Sequence, residues 1–405
     1  MTPAADLASR VASLLQAALA NGEVGREVSY CVLDVAADEV LAAHLADVPR
    51  RMASVTKLIT AVAALMQFGP EHRFRTGVEL HGDADAGFDV IVRGGGDPDL
   101  GAAAIARAAD AVVARVAVAA RNSPAPEVSV RVDPTLFALP APAPGMAPEW
   151  DPRELMPVVP TTLHEYYGAA PDEALGRAFA AALGARGLNA AWAPAASSGG
   201  RSDRAVDPRC QAAVLESAPV VALVEHMLAI SHNSYAEVLA RNVAVAQGLP
   251  GDWAGTSAVL AGTLTALGLD WSGLGGIRFV DGSGLAPEGR LRADAVAQVL
   301  RLVADPPPEH AASLACLYPG GALPLVDVAG LQVPTFGWFV DLPRGRPIWG
   351  KTGSVSGVAA FAGLTRGAEG RMRSFSVVAN DAPENGGLWV GRPFIARLAA
   401  AVRDL

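Results

Sequence analysis

The sequence predicts an α+β fold in which strands from both ends of the chain share one antiparallel sheet flanked by helices. Three observations predict it. A strand hairpin follows the first helix, three consecutive strand patterns lie near the C-terminal end, and short strand-like runs fill the region between. At 405 residues the chain exceeds the usual size of a single core. We therefore expect a main domain from residues 1–75 and 205–405, with residues 76–204 inserted as a smaller domain.

The N-terminal part predicts a helix, a hairpin and a second helix. An amphipathic pattern covers the first 20 residues and ends near Asn21-Gly22. Residues 28–35 have a strand pattern, and after a turn a second strand runs to residue 44. Apolar residues then recur on one face over residues 54–67, which predicts a helix that Gly69-Pro70 stops.

The middle of the chain predicts short strands at residues 78–80, 89–92 and 128–132, and an Ala-rich helix at 102–114. Prolines cluster between residues 123 and 160, which predicts an irregular surface segment and a candidate lid. Residues 193–203 have a loop composition and are expected to mark the return from the inserted domain.

The last part of the chain predicts helices at residues 219–230 and 234–247 and a final helix at 392–402. Strand patterns occur at 347–352, 358–365 and 372–379. We expect the first and last helices to pack on the sheet that the terminal strands form.

The composition, 51% hydrophobic and 18% charged, is typical of a folded globular protein. A net charge of -9 without a basic stripe argues against a nucleic-acid partner. No apolar run reaches the ~18 residues that a transmembrane helix needs. The N-terminus lacks a signal-peptide pattern, which leaves open whether a secretion signal has been removed or the protein stays inside.

Cysteine and histidine usage argues against a metal site. Cys31, Cys210 and Cys316 are too few and too far apart for a disulfide framework or a zinc site, so we expect buried apolar side chains. The seven histidines show no spacing typical of metal ligands. We expect no metal and no cofactor, and the sequence does not indicate the oligomeric state.

Ser54 and Lys57 are three residues apart at the start of a predicted helix, so their side chains lie on one face. A serine hydroxyl needs an adjacent base to become a nucleophile. An amine is such a base when burial and a neighbouring cation lower its pKa, and Lys351 would supply that cation. Taken alone, the pair is more often an N-cap serine beside a solvated lysine.

Ser231 and Asn233 are two residues apart, and in a helix they would point in nearly opposite directions. Helical patterns flank them, so we expect a turn that brings both side chains to one site. Ser231 would relay a proton to a leaving group, and Asn233 would hold a substrate carbonyl or fix Lys57. Taken alone, the tripeptide is more simply a loop with capping side chains.

Lys351, Thr352, Gly353 and Ser354 lie at a strand onset. Glycine at position 353 allows a ligand to approach the strand edge closely. The Lys351 ammonium and Thr352 hydroxyl would hold a substrate carboxylate. The backbone N–H groups of Ser54 and Ser354 would form an oxyanion hole. Taken alone, this run also fits a plain hairpin.

In this order, the three motifs are the signature set of the penicillin-recognising serine enzymes. The resemblance extends to residues 52–58, 94–100, 227–239, 281–285 and 350–363. The chain resembles the D-alanyl-D-alanine carboxypeptidase/endopeptidase family of low-molecular-mass class C penicillin-binding proteins. This implies a β-lactamase-like transpeptidase domain, with an antiparallel sheet, flanking helices and an α-helical subdomain. It also implies an insertion between the first two motifs, with the nested third domain of larger members reduced or absent.

By that resemblance, Ser54 is the acylated nucleophile and Lys57 its base. Ser231 and Asn233 form the second element, and Lys351 with Thr352 recognises the substrate carboxylate. The implied reaction is attack on the D-Ala-D-Ala bond of peptidoglycan stem peptides, with D-alanine leaving and water or an amine resolving the acyl-enzyme. Penicillin would mimic the substrate and acylate the serine. The implied location is the periplasm or cell envelope.

The chain departs from the family pattern after Gly-Ser-Gly-Leu, where relatives often have Ser-Arg and this chain has Ala286-Pro287. In relatives, this arginine helps to form the pocket for a peptide side chain. In this chain, Arg290 and Arg292 are the two candidates for a side chain in the same region. His232 stands where relatives often have Asp, and we assign it no role. An acidic residue of the family's inserted domain faces the substrate amine, for which Asp151 and Glu154, near Trp150, are the nearest candidates.

Two other functions stay open. A β-lactamase or an esterase would use the same three motifs and differ in rapid deacylation, for which no Glu-containing loop is recognisable. A catalytically idle wall-binding protein is the second alternative, and the presence of both Ser54 and Lys57 argues against it.

Overall fold

The computed structural model describes residues 3–120, 126–138, 140–146, 154–164, 166–194, 208–269, 276–318, 321–326, 345–381 and 391–405. The strands are β1 (Glu27–Asp34), β2 (Glu39–His44), β3 (Arg75–Asp83), β4 (Gly87–Arg93), β5 (Asp97–Leu100), β6 (Glu127–Asp133), β7 (Thr161–Leu163), β8 (Asn189–Trp192), β9 (Gln211–Glu216), β10 (Ile348–Val355), β11 (Val358–Arg366) and β12 (Met372–Asn380). The helices are α1 (Pro3–Ala20), α2 (Lys57–Phe68), α3 (Ala102–Ala120), α4 (Pro171–Gly184), α5 (Val220–Ala229), α6 (Asn233–Ala246), α7 (Trp253–Ala266), α8 (Ala293–Ala304), α9 (Ala311–Leu314) and α10 (Arg392–Asp404).

The first sheet joins the two ends of the chain in the strand order β10-β11-β12-β1-β2. Every neighbouring pair is antiparallel. Strands β1 and β12 are paired along their whole length, with Glu27 opposite Asn380 and Asp34 opposite Arg373. The prediction that the N-terminal hairpin shares a sheet with the C-terminal strands is therefore confirmed.

The two faces of this sheet bury different helices. Helices α1 and α10 cover one face, where Leu7 and Phe394 pack with Phe361 of β11. On the other face, Val62 of α2 belongs to the cluster that contains the next β11 residue, Ala362. Successive strand residues point to opposite faces, so adjacent positions enter different cores. The expected packing of the terminal helices on the sheet is confirmed.

The second sheet comes from the middle of the chain, in the order β8-β6-β4-β3-β9. Its β4-β6 and β6-β8 pairs are parallel and its β3-β4 and β3-β9 pairs antiparallel. Helices α3 and α4 pack on it through Val112 and Phe179, which join Val90 and Val130 in one cluster. A separate two-stranded sheet pairs β5 with β7.

The middle region differs in detail from the sequence prediction. The three expected strands lie within β3, β4 and β6, but α3 continues to Ala120 because Val116 extends its buried face. Strands β5, β7 and β8, each only three or four residues long, were not predicted. Strand β9 belongs to the second sheet although it lies beyond residue 204, so this sheet reaches into the segment assigned to the main domain. The domain boundaries stay a prediction.

A glycine turn joins this region to α6. Gly96 has φ +82°, and a Cβ atom there would lie 1.9 Å from Oδ1 of Asn242. The Nδ2 of Asn242 donates to the Gly96 carbonyl (2.7 Å), and the Gly96 N–H donates to the Pro160 carbonyl (3.1 Å). The turn thereby fixes the segment before β7 against the helix that begins with Asn233.

The described residues between β6 and β7 form no helix or strand, as expected for the proline-rich stretch. Phe137 and Val158 pack with Val238 of α6, and the Ala141 carbonyl accepts a hydrogen bond from Nε1 of Trp253 (3.0 Å). This stretch therefore lies against α6 and α7.

In the described part of the chain, no helix has the length and apolarity to cross a membrane. The three cysteines are free, and Cys31 is buried as expected. The expectation of burial is wrong for Cys210, in the turn before β9, and for Cys316, whose Sγ donates to the Ser313 carbonyl (2.8 Å).

Candidate active site

Ser54 lies in a 3₁₀ turn, Ala53–Thr56, that precedes α2. The expected helix start at Ser54 is wrong by three residues, because α2 begins at Lys57. In a 3₁₀ turn, side chains three residues apart eclipse one another, so those of Ser54 and Lys57 point the same way. Ala53 has φ +46°, which non-glycine residues rarely adopt and which recurs at functional sites.

The amine of Lys57 lies at the centre of the site, on a side chain with 0% exposure. Its Nζ is 2.8 Å from Ser54 Oγ, 2.6 Å from Asn233 Oδ1 and 3.0 Å from the Ser283 carbonyl oxygen. The amide oxygen and the carbonyl only accept hydrogen bonds, whereas a hydroxyl donates or accepts. A neutral amine that donates its two hydrogens to those two acceptors therefore directs its lone pair at the hydroxyl of Ser54.

Burial lowers the pKa of Lys57 to about 7. Three carboxylates act in the opposite direction, those of Asp281, Glu237 and Glu154. Of the two expected causes, burial has the largest effect, whereas the expected contribution of the Lys351 cation needs correction because that residue is not among the groups that shift the pKa of Lys57. The repulsion between the two ammonium groups instead lowers the pKa of Lys351, in addition to that residue's own burial. These two residues are the only lysines in the sequence.

The second motif lies where α5 ends and α6 begins, and the predicted turn between two helices is confirmed. Ser231 has φ +62°, a left-handed conformation that reverses the chain there. Asn233 is the first residue of α6. Its Oδ1 accepts from Lys57, and its Nδ2 donates to the Glu154 carbonyl oxygen (2.8 Å). Asn233 therefore links the base to the irregular stretch before β7.

The side chain of His232 belongs to an aromatic cluster. Its ring centroid is 4.6 Å from that of Tyr235, 6.0 Å from that of His226 and 6.2 Å from that of Tyr167. Burial lowers the pKa of His232 to about 4, with further contributions from the charges of His226 and Lys57. The ring is therefore neutral at pH 7, and we assign it no role in proton transfer.

The third motif lies on β10, at the edge of the first sheet, and passes directly beside Ser54. A Cβ atom at Gly353 would lie 2.5 Å from the Met52 carbonyl oxygen and 3.1 Å from the Ser54 nitrogen, so only glycine allows this approach. Thr352 is 7% exposed. Lys351 is fully buried, and its Nζ donates to the Thr352 carbonyl (2.8 Å).

Ser354 follows Gly353 on the same strand. Its Oγ is buried and has no hydrogen-bond partner among the residues that the structure describes. The oxyanion hole of the Ser54 and Ser354 N–H groups stays a prediction.

Two buried acids that the sequence analysis did not assign lie behind Lys57. The two carboxylate oxygens of Glu237 accept from the backbone N–H groups of Ser283 (2.8 Å) and Gly282 (2.9 Å). Those of Asp281 accept from Gly284 N (3.0 Å) and Ala286 N (2.7 Å). The available signal was an Asp before a glycine-rich turn, whose side chain typically binds nearby backbone N–H groups.

The structure distinguishes between Arg290 and Arg292, the two candidates for contact with a substrate side chain. Arg292 is buried and forms an ion pair with Asp294 (2.5 Å), so it is not available to a substrate. Arg290 donates to two carbonyls of its own loop and lines a narrow crevice with Arg51 and Asp281. Arg290 thus stays the candidate.

Of the acidic candidates, Glu154 is exposed and close enough to influence Lys57. Asp151 and Trp150 lie outside the described residues.

The first sheet is five-stranded and antiparallel, and helices pack on it. Ser54 lies within hydrogen-bond distance of the buried Lys57 at the edge of this sheet. These features define the class of active-site serine enzymes with a transpeptidase-like fold. The comparisons with known proteins agree with this class. A family model described as the D-Ala-D-Ala carboxypeptidase 3 (S13) family matches residues 11–165 and 168–388. The chain belongs to that family, and it is a serine-type D-Ala-D-Ala carboxypeptidase by class.

Two curated relatives are carboxypeptidases. The chain is 31% identical over 425 residues to carboxypeptidase DacB of Mycolicibacterium smegmatis, covering 97% of this chain and 84% of the relative. It is 30% identical over 417 residues to a carboxypeptidase of Mycobacterium tuberculosis, covering 95% and 83%.

Two solved structures share the fold. Penicillin-binding protein 4 of Haemophilus influenzae superposes with a TM-score of 0.76 at 16% identity, covering 98% of this chain and 99% of that one. A predatory endopeptidase of Bdellovibrio bacteriovorus, in complex with an immunity protein, superposes with a TM-score of 0.59 at 18% identity. The match covers 93% of this chain and 93% of the endopeptidase chain.

Proposed function

We propose that this carboxypeptidase cleaves peptidoglycan stem peptides through an acyl-enzyme on Ser54, with DD-endopeptidase activity at the same site. The observation that carries the proposal is the 2.8 Å contact between Ser54 Oγ and Lys57 Nζ. It joins a nucleophile to a base whose pKa, about 7, suits proton transfer at neutral pH.

The first chemical step is acylation. Neutral Lys57 donates to Asn233 and to the Ser283 carbonyl, and its lone pair takes the proton of Ser54 as Oγ attacks the carbonyl carbon of the penultimate D-alanine. The N–H groups of Ser54 and Ser354 stabilise the oxyanion. The peptide C–N bond breaks, and Ser231 relays the proton that Lys57 accepted to the departing D-alanine amine, which leaves Lys57 neutral. Water then attacks the ester carbonyl carbon while neutral Lys57 takes a proton from it. The bond between that carbon and Ser54 Oγ breaks, which releases the shortened peptide, and Lys57 returns the proton to Ser54.

Substrate recognition involves the edge strand. A peptide that lies along β10 approaches closely because Gly353 has no side chain. The terminal carboxylate is held by the hydroxyl of Thr352 and by the charge of Lys351. Arg290, which lines the crevice together with Arg51, is the candidate for contact with a stem-peptide side chain.

Two solved structures support the proposal that β-lactams acylate Ser54. One is the Haemophilus influenzae protein complexed with a β-lactam. The other is the Bdellovibrio bacteriovorus endopeptidase acylated by penicillin G. That same Bdellovibrio bacteriovorus protein is a predatory peptidoglycan endopeptidase. A substrate in the cell wall implies that the protein acts outside the cytoplasm, in the periplasm or cell envelope.

The test compares three substrates with the wild type and Ser54→Ala. We expect release of D-alanine from a stem pentapeptide, cleavage of a D-Ala-linked muropeptide dimer, and slow hydrolysis of nitrocefin after one equivalent has reacted. Ser54→Ala should lose all three. Fast, repeated nitrocefin turnover without D-alanine release would favour the β-lactamase alternative. Equal activity of the wild type and Ser54→Ala would overturn the proposal.

A further inference from the structure

Glu237 and Asn233 are four residues apart on α6, and both side chains point to the region of Lys57. Asn233 contacts the amine directly. Glu237 contacts the segment that the amine also contacts, since it accepts from Ser283 N while Lys57 donates to the Ser283 carbonyl. One helix therefore holds the base by two routes.

The segment of residues 282–284 is held from both sides. Thr60, one turn after Lys57 on α2, donates to the Gly282 carbonyl (2.7 Å). The N–H of the same peptide group, on Ser283, donates to Glu237. In the next peptide group, the Ser283 carbonyl accepts from Lys57 and the N–H, on Gly284, donates to Asp281. Each peptide group thus joins a side chain of α2 to a buried carboxylate.

The burial of two carboxylates beside Lys57 reduces the stability of the fold unless hydrogen bonds replace their hydration. Glu237 is fully buried and Asp281 is 1% exposed, and a buried carboxylate loses hydration that hydrogen bonds must replace. Burial and the charge of Asp281 raise the pKa of Glu237 to about 7, whereas the hydrogen bonds from Ser283 and Gly282 favour its ionised form. Arg241, on the same helix, also favours the ionised form of Glu237.

We propose that Glu237 is a positioning residue for the general base: it fixes the Ser283 carbonyl to which Lys57 donates, and it places a carboxylate close to that amine. The role rests on the proposed function of Lys57 and extends it to a residue that touches neither substrate nor Ser54. Among the residues that the structure describes, the charged or titratable groups that interact with Lys57 from the surrounding elements are Asp281, Glu237, Glu154, Lys351 and His232.

The sign of the effect follows from the charges. A carboxylate near an ammonium favours the protonated form, so its removal lowers the pKa of that amine. Acylation requires neutral Lys57 and therefore falls as the pH drops below the pKa of that residue. In the pH range where Glu237 is ionised, Glu237→Gln should lower the pKa of Lys57 and move the acid limb to lower pH by about half a unit, since an intervening peptide weakens the direct effect of roughly 1–3 units.

The first experiment measures Lys57 itself. Because the chain has only two lysines, protein grown with [ε-¹³C]lysine gives two side-chain signals, which Lys351→Met assigns. Titration of the wild type and Glu237→Gln should show the lower pKa of Lys57 in the variant. This readout needs no activity, so it tests the inference even if Ser54 forms no adduct with penicillin and the proposed function fails.

The second experiment measures acylation by a fluorescent penicillin as a function of pH. Glu237→Asp keeps the charge but shortens the side chain, so the acid limb should stay in place while the maximal rate falls about tenfold through lost positioning. Thr60→Val, which loosens the same segment without changing any charge, should behave likewise and serves if the Glu237 variants do not fold.

The matched control is Glu79→Gln, which removes a carboxylate that is 2% exposed and bound to Arg93 in the second sheet. It should change neither the Lys57 titration nor the maximal rate. The inference is overturned if folded Glu237→Gln titrates and acylates like Glu79→Gln, or if Thr60→Val keeps the wild-type rate.

Discussion

Oδ1 of Asn233 lies 2.6 Å from Nζ of Lys57, although the two residues are 176 positions apart in the chain. The contact joins the first motif to the second and leaves the amine's lone pair for Ser54. Variants of these residues and of their neighbours test this geometry and the charges around it.

Lys57→Ala should reduce acylation on the order of 10² to 10⁴ fold, the usual size of a general-base contribution. In the wild type, the pKa of Lys57, about 7, predicts an acid limb with its midpoint near pH 7. Below that pH the amine is protonated and the rate falls. Stopped-flow acylation between pH 5 and 9 measures both effects, and Lys57→Ala should show no such limb. Near-normal acylation in that variant would contradict the assigned role.

Asn233→Asp should move the acid limb to higher pH by about 1 unit or more, because it places a carboxylate against the ammonium of Lys57 and raises the pKa of that amine. The rate at pH 7 should fall about tenfold and recover at pH 9. Asn233→Ala is the matched variant, since it removes the acceptor without adding charge and should not recover at high pH. An unchanged limb in Asn233→Asp would mean that the two side chains are not in contact.

Lys351→Ala should weaken substrate binding and remove the alkaline limb of the pH profile. Burial and the charge of Lys57 lower the pKa of Lys351, so in the wild type the cation that attracts the substrate carboxylate is lost as the pH rises. A peptide amide without the terminal carboxylate should react slowly with the wild type, and its rate should fall only slightly further in Lys351→Ala. If the amide and the acid react equally with the wild type, carboxylate recognition by this lysine is wrong.

Gly353→Ala should reduce acylation about 100-fold, the typical effect of a 1 Å misplacement. The added Cβ would come within 2.5 Å of the Met52 carbonyl oxygen, so β10 must move away from Ser54. The control is Gly101→Ala, where a Cβ atom meets nothing within 4 Å. Both variants should retain the fold by circular dichroism, and full activity of Gly353→Ala would show that β10 need not lie so close to the serine.

Local sequence patterns predicted much of the fold. The alternation at residues 28–35 and 372–379 predicted strands, and their place at the two chain ends predicted the shared sheet. The spacing of Ser54 and Lys57 predicted a common face for their side chains. Strands β5, β7 and β8 escaped prediction because three or four residues carry too little periodicity.

Local sequence patterns did not predict the burial of Glu237 and Asp281. In the sequence, Glu237 is an acid within a helix, and such residues usually face solvent. Its burial depends on the arrival of residues 281–286 from 45 positions away. The sequence analysis expected burial and the Lys351 cation to lower the pKa of Lys57, and the packing around the amine shows that burial has the largest effect.

The proposed mechanism requires that Ser54, activated by Lys57, forms the acyl-enzyme. Intact-mass analysis after incubation with benzylpenicillin, followed by peptide mapping, measures this step without any assumption about the natural substrate. We expect one adduct per chain, located on Ser54, absent in Ser54→Ala and formed far more slowly in Lys57→Ala. No adduct on the wild type, or an adduct on a different serine, would refute the mechanism.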